Sequence, residues 1–322
     1  MSLKLNRMKY LSVGVLAICL CCLSPRGWTQ EANTSNDNFS LNVDVELVQL
    51  SVSVLDKEGR AVEGLRKDDF HVFEGGVQQE LSLFRHEDIP LSVGLAIDNS
   101  GSMHNKRERV NSAALTFARE SNPEDETFIV NFDDSVYLEQ EFTGNINDLI
   151  NALSKLDTRG ETALYDAVYL SSEHLGQGKK DKKAILLITD GEDNASKLSL
   201  NRVVDALRQS KVTLYAIGLL DEDNRGFLNK SPSKKAKSAL QKFAELTGGQ
   251  AYFPESLTEI EGLCRRIAHD LRSQYTIGYT PTNKNHDGSW REVTVTVDPP
   301  KNLRNVTVRT KPGYYAPRPP SP

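Results

Sequence analysis

The chain has 322 residues, 38% hydrophobic and 26% charged, with Gly 21, Pro 13 and Cys 4. That is apolar material for about two folded domains, and it excludes collagen-like, fully disordered and disulfide-framework chains. Lys+Arg 39 against Asp+Glu 44 give a net charge of -5 with no long block of one sign, which argues against a nucleic-acid binder relying on phosphate neutralisation.

At the start, Lys4, Arg7 and Lys9 precede an apolar run from Leu11 to Leu23, and Ser24-Pro25-Arg26-Gly27 ends any helix. This reads as a secretory signal over residues 1–30, with cleavage between Ser24 and Ala32. The apolar run is short for a bilayer span, and no other segment approaches roughly 18 uninterrupted apolar residues. The mature chain is therefore expected to be exported, periplasmic or secreted, without a stable membrane span; an uncleaved anchor is the alternative. Ile18 ahead of Cys19 disfavours a lipid anchor at that cysteine. Loss of Lys4, Arg7, Lys9 and Arg26 with no acid takes the charge from -5 to -9. Cys19, Cys21 and Cys22 leave with the signal, so Cys264 has no disulfide partner. It falls with Ile260, Leu263, Ile267 and Leu271 on one helical face and reads as a buried, inert thiol.

Residues 31–40 are polar and Asn/Ser-rich, a flexible lead-in. An N-terminal β module is expected over 41–88: Val43 to Val54 roughly alternates, Asp56-Lys57-Glu58-Gly59 is a turn, and Asp69–Phe73 and Gln79–Phe84 flank a Glu74-Gly75-Gly76 turn. From 89 to 273 strands alternate with helices, the pattern of a mostly parallel sheet covered on both faces. The strands are Leu91–Ile97, Thr127–Phe132, Ser135–Phe142, Ala184–Thr189, Val212–Leu219 and Ala251–Phe253; the helices lie around Lys106–Glu120, Ile146–Leu156, Ala163–Leu175, Leu200–Gln209, Lys234–Leu246 and Leu257–Arg272. Only Asp133-Asp134 separates the second strand from the third, too little for a crossover, so the third should run antiparallel at an edge. Strands recur at Tyr275–Thr280, Arg291–Val297 and Val306–Thr310, within 274–316, before a tail at 317–322. Either β segment alone is marginal, so the α/β domain is read as inserted into one small sandwich-like module; two separate β appendages are the alternative.

The first α/β strand ends in Asp98-Asn99-Ser100-Gly101-Ser102, a helix start carries Gly160-Glu161-Thr162, and the fourth strand ends in Thr189-Asp190-Gly191. In a doubly wound sheet ordered 3-2-1-4-5-6 the first and fourth strands are neighbours, and ligands bind outside their carboxyl ends. Strands sit about 4.8 Å apart, so Asp98 and Asp190 converge, and two such charges repel unless a cation lies between them. Mg²⁺ fits: it takes oxygen ligands octahedrally and keeps several waters, and the hydroxyls of Ser100, Ser102 and Thr162 complete an oxygen set with no His or Cys.

These five residues, in this order and placement, resemble the metal-ion-dependent adhesion site of von Willebrand factor type A domains, Asp-x-Ser-x-Ser plus a distant Thr and a distant Asp. The resemblance runs from Ile89 to Ser273, and Gly64–Phe70 and Gly313-Tyr314-Tyr315 resemble a related group of exported bacterial proteins. It implies a Rossmann-like fold, Mg²⁺ (or Mn²⁺) and a protein partner presenting Asp or Glu to the metal. Glu161 departs from the Gly expected before the Thr and adds an acid beside the site; Asp166 is a candidate for orienting it from behind.

Enzyme chemistry is not expected. An aspartyl-phosphate mechanism using Asp98 wants an acid at position 100, which is Ser, and a Ser100 hydrolase lacks Gly-x-Ser-x-Gly and a placed base. No phosphate-binding glycine loop is present. An envelope-associated structural module with a non-functional metal site is the other alternative. Asp221-Glu222-Asp223-Asn224-Arg225-Gly226 lacks the acid an EF-hand needs at its twelfth position, Pro232, and reads as an exposed loop. His104 and the groups Lys179, Lys180, Lys182, Lys183 and Lys234, Lys235, Lys237 read as solvated surface, and Asp193 as a loop residue.

Overall fold

The computed structural model describes residues 47–155, 158–220, 232–299 and 305–318. The signal, the lead-in and the Asp221–Gly226 segment lie outside the described residues.

The chain begins with β1 (Val48–Leu55), β2 (Phe70–Glu74), β3 (Val77–Gln79) and β4 (Leu81–Arg85). Gly75 and Gly76 have φ of 54° and 81°, the left-handed backbone that a two-residue hairpin between β2 and β3 needs and that glycine adopts without strain. Gln79–Phe84, expected as one strand, is two. Gln79 pairs with Val72 in one sheet and Leu81 with Tyr279 in the other, so the strand turns a corner at Glu80.

The α/β unit follows: β5 (Leu91–Asp98), α1 (Arg107–Glu120), β6 (Glu126–Phe132), β7 (Val136–Thr143), α2 (Ile146–Ser154), α3 (Leu164–His174), β8 (Lys182–Thr189), α4 (Leu200–Gln209), β9 (Val212–Gly218), α5 (Pro232–Thr247), β10 (Ala251–Tyr252) and α6 (Ile260–Arg272). Its six strands are ordered β10-β9-β8-β5-β6-β7, all parallel except β7, which pairs antiparallel with β6 at the edge. Strand β8 is buried on both faces. Ala184, Leu186 and Ile188 pack with α1, α2 and α6, whereas Ile185 and Leu187 pack with α3, α4 and α5, which is why its apolar run is continuous. Cys264 is fully buried on α6, and burial pushes its thiol up to about 12.

The chain then returns to β structure with β11 (Tyr275–Tyr279), β12 (Trp290–Val297), β13 (Thr307–Arg309) and β14 (Gly313–Tyr315). Strand β14 falls in the Gly-Tyr-Tyr phrase and was not expected from alternation, being three residues long. One sheet is ordered β13-β1-β11-β4 and the other β14-β12-β2-β3, so each takes strands from both ends of the chain. Val52, Val54, Phe70, Val72, Tyr275, Ile277, Val293 and Val295 fill the space between them. The α/β unit thus sits between β4 and β11 of a sandwich whose sheets are each incomplete without both flanking segments.

The lysines near β8 differ from the solvated reading. Lys182 is 5% exposed and donates to Leu271 O at 2.9 Å, and Lys183 donates to Leu175 O at 2.6 Å, so each satisfies a carbonyl at a helix end. Lys179 is exposed, as are Lys234, Lys235 and Lys237, of which Lys235 pairs with Glu192 and Lys237 lies over Phe253.

Candidate functional site

Strands β5 and β8 are hydrogen-bonded neighbours with Ile97 opposite Ile188, so Asp98 and Thr189 leave the sheet side by side at its carboxyl edge. The Thr189 hydroxyl donates to Asp98 Oδ2 at 2.5 Å, and the Ser100 amide donates to Asp98 Oδ1 at 2.9 Å. Asp98 is 1% exposed. Burial pushes its carboxyl up to about 6; the bonds from Thr189 and Ser100 oppose that rise, and the nearby Asp190 charge adds to it.

After Ser100 the backbone makes a single 3-10 turn, Gly101–Met103, which brings Ser102 back over Ser100. The two hydroxyls lie 3.1 Å apart, and Ser102 Oγ donates to Asp190 Oδ1 at 2.7 Å. Asp98, Ser100, Ser102 and Asp190 are therefore joined in one run of short polar contacts. The other oxygen of Asp190 is held by Lys106, whose Nζ donates to Asp190 Oδ2 at 2.6 Å and to Leu219 O at 3.4 Å. Lys106 immediately precedes α1, and neither its type nor its position singles it out in the sequence.

Thr162 comes in on a third loop. Arg159 N donates to Asn99 O at 3.0 Å and Gly101 N to Gly160 O at 3.2 Å, which lays residues 159–162 along the Asp98–Gly101 turn. Thr162 is 4% exposed, and its Oγ1 lies 3.1 Å from where a side chain on Gly191 would begin. A glycine after Asp190 thus leaves room for the hydroxyl to approach the end of β8. Glu161 is exposed beside it.

Asp166 does something other than orient the five residues directly. Its carboxylate accepts from the amides of Lys197 and Leu198 at 3.1 and 2.9 Å, fixing the loop that follows Asp190. The same loop answers the start of α3: Asp193 Oδ1 accepts from Tyr165 N at 3.0 Å, Asn194 Oδ1 from Thr162 N at 2.7 Å, and Ser196 Oγ from Asp166 N at 3.0 Å. Ala163, the residue at the helix cap position, has no side-chain cap of its own, so Asp193 supplies one from a distant segment. His104 is exposed and lies 2.9 Å from Thr158 Oγ1.

The candidate donors are all oxygen, the kind a hard cation takes: Asp98, Ser100, Ser102 and Asp190 are linked where two strands end, and the Thr162 hydroxyl lies against Gly191 beside them. Among the described residues no group of three or more His, Cys, Asp or Glu is placed to hold a metal. Two acids with three alcohols would not form such a group.

The von Willebrand factor type A domain profile matches residues 93–192, the stretch that supplies all five residues. An uncharacterised protein of Synechocystis is 30% identical over 148 residues, which is 44% of this chain and 34% of that protein. Heavy chain 4 of the mouse inter alpha-trypsin inhibitor is 25% identical over 179 residues, 48% of this chain and 19% of that protein. The chain spans about a third or less of both. Among solved structures, the von Willebrand factor type A protein of Catenulispora acidiphila has a TM-score of 0.48 at 12% identity, over 87% of this chain and 75% of that one. The corresponding domain of the pilus tip protein Mfa5 of Porphyromonas gingivalis has a TM-score of 0.46 at 12% identity, over 56% of this chain and 94% of that one. The profile match falls on the strands and loops that build the site, so it is residues 93–192 of this chain that are similar to a von Willebrand factor type A domain.

Proposed function

We propose that the protein is an exported, non-enzymatic binding module whose Asp98, Ser100, Ser102, Thr162 and Asp190 hold Mg²⁺ or Mn²⁺ at the carboxyl end of the sheet, for a partner's Asp or Glu to complete. Domains of this type commonly mediate protein interaction. The observation that carries the reading is the unbroken run from Asp98 through Ser100 and Ser102 to Asp190, with contacts of 2.9, 3.1 and 2.7 Å. A bound divalent ion would supply the positive charge that two converging carboxylates want, and a carboxylate approaching from solvent would be a fitting last ligand. Three of the five ligands are neutral hydroxyls, so they leave the ion's charge incompletely cancelled, and an incoming anion gains from that residue of charge. Support for export comes from Lys4, Arg7 and Lys9 ahead of the apolar run to Leu23, and no helix of the described residues is long and apolar enough to cross a membrane.

Calorimetric titration of Mg²⁺ and Mn²⁺ into the signal-free chain tests the site. Saturable uptake by the wild type and its loss in Asp98→Ala are expected. A wild-type chain that takes up neither ion returns the protein to a structural, envelope-associated role. Any partner identified by pull-down should be released by chelator; binding that survives both chelation and Asp98→Ala overturns the metal bridge.

A further inference from the structure

Asp190 has two oxygens and both are engaged: Oδ1 by the Ser102 hydroxyl at 2.7 Å and Oδ2 by the Lys106 ammonium at 2.6 Å. The side chain of Asp190 is 1% exposed and that of Lys106 17%, so this ion pair is shielded from water. A charge pair so placed is screened far less than one at the surface. The ammonium also reaches Leu219 O at 3.4 Å, just past β9, which anchors it on the side of Asp190 away from Ser102. Of the two carboxylates in the set, Asp98 receives its bonds from a hydroxyl and an amide, whereas Asp190 receives a full positive charge.

We infer that Lys106 is an affinity-setting residue of this site: a built-in counter-ion on Asp190 that lowers the affinity for a divalent cation and leaves a bound cation more electron-poor toward an incoming carboxylate. The inference rests on the metal-site reading above. Its chemistry is direct. A lysine that neutralises one of two acids leaves the five-residue set with about one net negative charge instead of two, and places a like charge beside the ion that enters. The site then binds Mg²⁺ loosely enough to lose and regain it, and its occupancy follows the surrounding ion concentration.

The test is titration of Mn²⁺ and of Mg²⁺ alone into the signal-free wild type, Lys106→Gln, Lys106→Met and Lys106→Arg, with a thermal melt of each in chelator. Glutamine keeps a donor for Asp190 without the charge, and arginine keeps the charge. Lys106→Gln and Lys106→Met are expected to bind about tenfold tighter or better than wild type, a change of about 1.4 kcal/mol per tenfold, and Lys106→Arg to stay within about threefold of it. If wild type and Lys106→Gln bind alike, or if the variants lose melting temperature with no gain in affinity, Lys106 is a structural clamp and the inference fails while the metal site stands. Absence of uptake by every protein removes the metal site and the inference with it.

Discussion

Lys182 opens β8 with an ammonium buried against the last turn of α6, and burial takes its acidity to about 8 from the ordinary 10.5, partly offset by the charges of Asp88, Asp125 and Asp270. Between those two pH values an unfolded chain keeps a proton that the folded chain sheds, so this residue makes stability rise with pH across that window; below pH 8 its penalty is fully present. The melting midpoint of wild type relative to Lys182→Met should therefore climb between pH 8 and 10, by the equivalent of at most about 3 kcal/mol, as read by paired denaturation curves. A flat difference would mean that Lys182 is solvated in the folded chain. At this scale the sequence was legible for residues whose type is unusual in its place. Asp98, Ser100, Ser102 and Asp190 could be grouped because their spacing put them at or just past two strand ends, and Thr162 joined them from a neighbouring helix start. Lys106 and Thr189 could not, because an ammonium near a helix start and a threonine closing a strand are commonplace. What makes them matter is a bond across 84 or 91 residues.

The loop from Asp193 to Leu198 and the start of α3 form one unit, each supplying what the other lacks. Helix α3 has no cap from Ala163, and Asp193 accepts from Tyr165 N in its place; the loop in turn hangs from Asp166 by two amides. Asp193→Ala should cost about 1 kcal/mol of stability by chemical denaturation, the usual worth of a helix cap. Because Thr162 lies two residues before the helix and is tied to Asn194, the same variant should, on the proposed metal site, also weaken metal uptake; unchanged stability would show that the helix is capped adequately without it. Elements themselves were readable to within a residue or two wherever periodicity was long, as for Leu200–Gln209 and Val212–Gly218. They were misread where pairing partners decide the matter. Nothing local in Gln79–Phe84 tells that Gln79 belongs to one sheet and Leu81 to another, and β14 exists because Arg291 and Glu292 offer it an edge.

Across the whole folded unit, the α/β domain and the sandwich share a polar knot. Tyr215 on β9 donates to Asp270 on α6 at 2.6 Å, Arg309 on β13 donates to the same oxygen at 2.9 Å, and Gln274 donates to Ser53 on β1 at 3.2 Å and to Tyr215 at 3.4 Å. Asp270 is 5% exposed, so removing its cation leaves a buried charge with a hydroxyl alone. Arg309→Ala should cost about 3 kcal/mol or more, and Asp270→Asn in the same chain should recover part of it; full additivity of the two in a double-mutant cycle would show that they do not interact. The composition at both ends announced β structure and the middle announced a covered sheet, but this knot joins residues up to 256 positions apart and leaves no periodic trace.

The interleaving of the two small sheets also governs how the molecule can be born. Val48 is paired with Tyr279, and Phe70 with Val297, so a growing polypeptide can complete all six central strands while both outer sheets still wait, half-made and with apolar faces uncovered, for the final stretch through Tyr315. Closing loops of that length is slow compared with local helix formation. The order of the chain therefore lets the middle of this protein assemble before its flanks, which are the part a chaperone would have to guard.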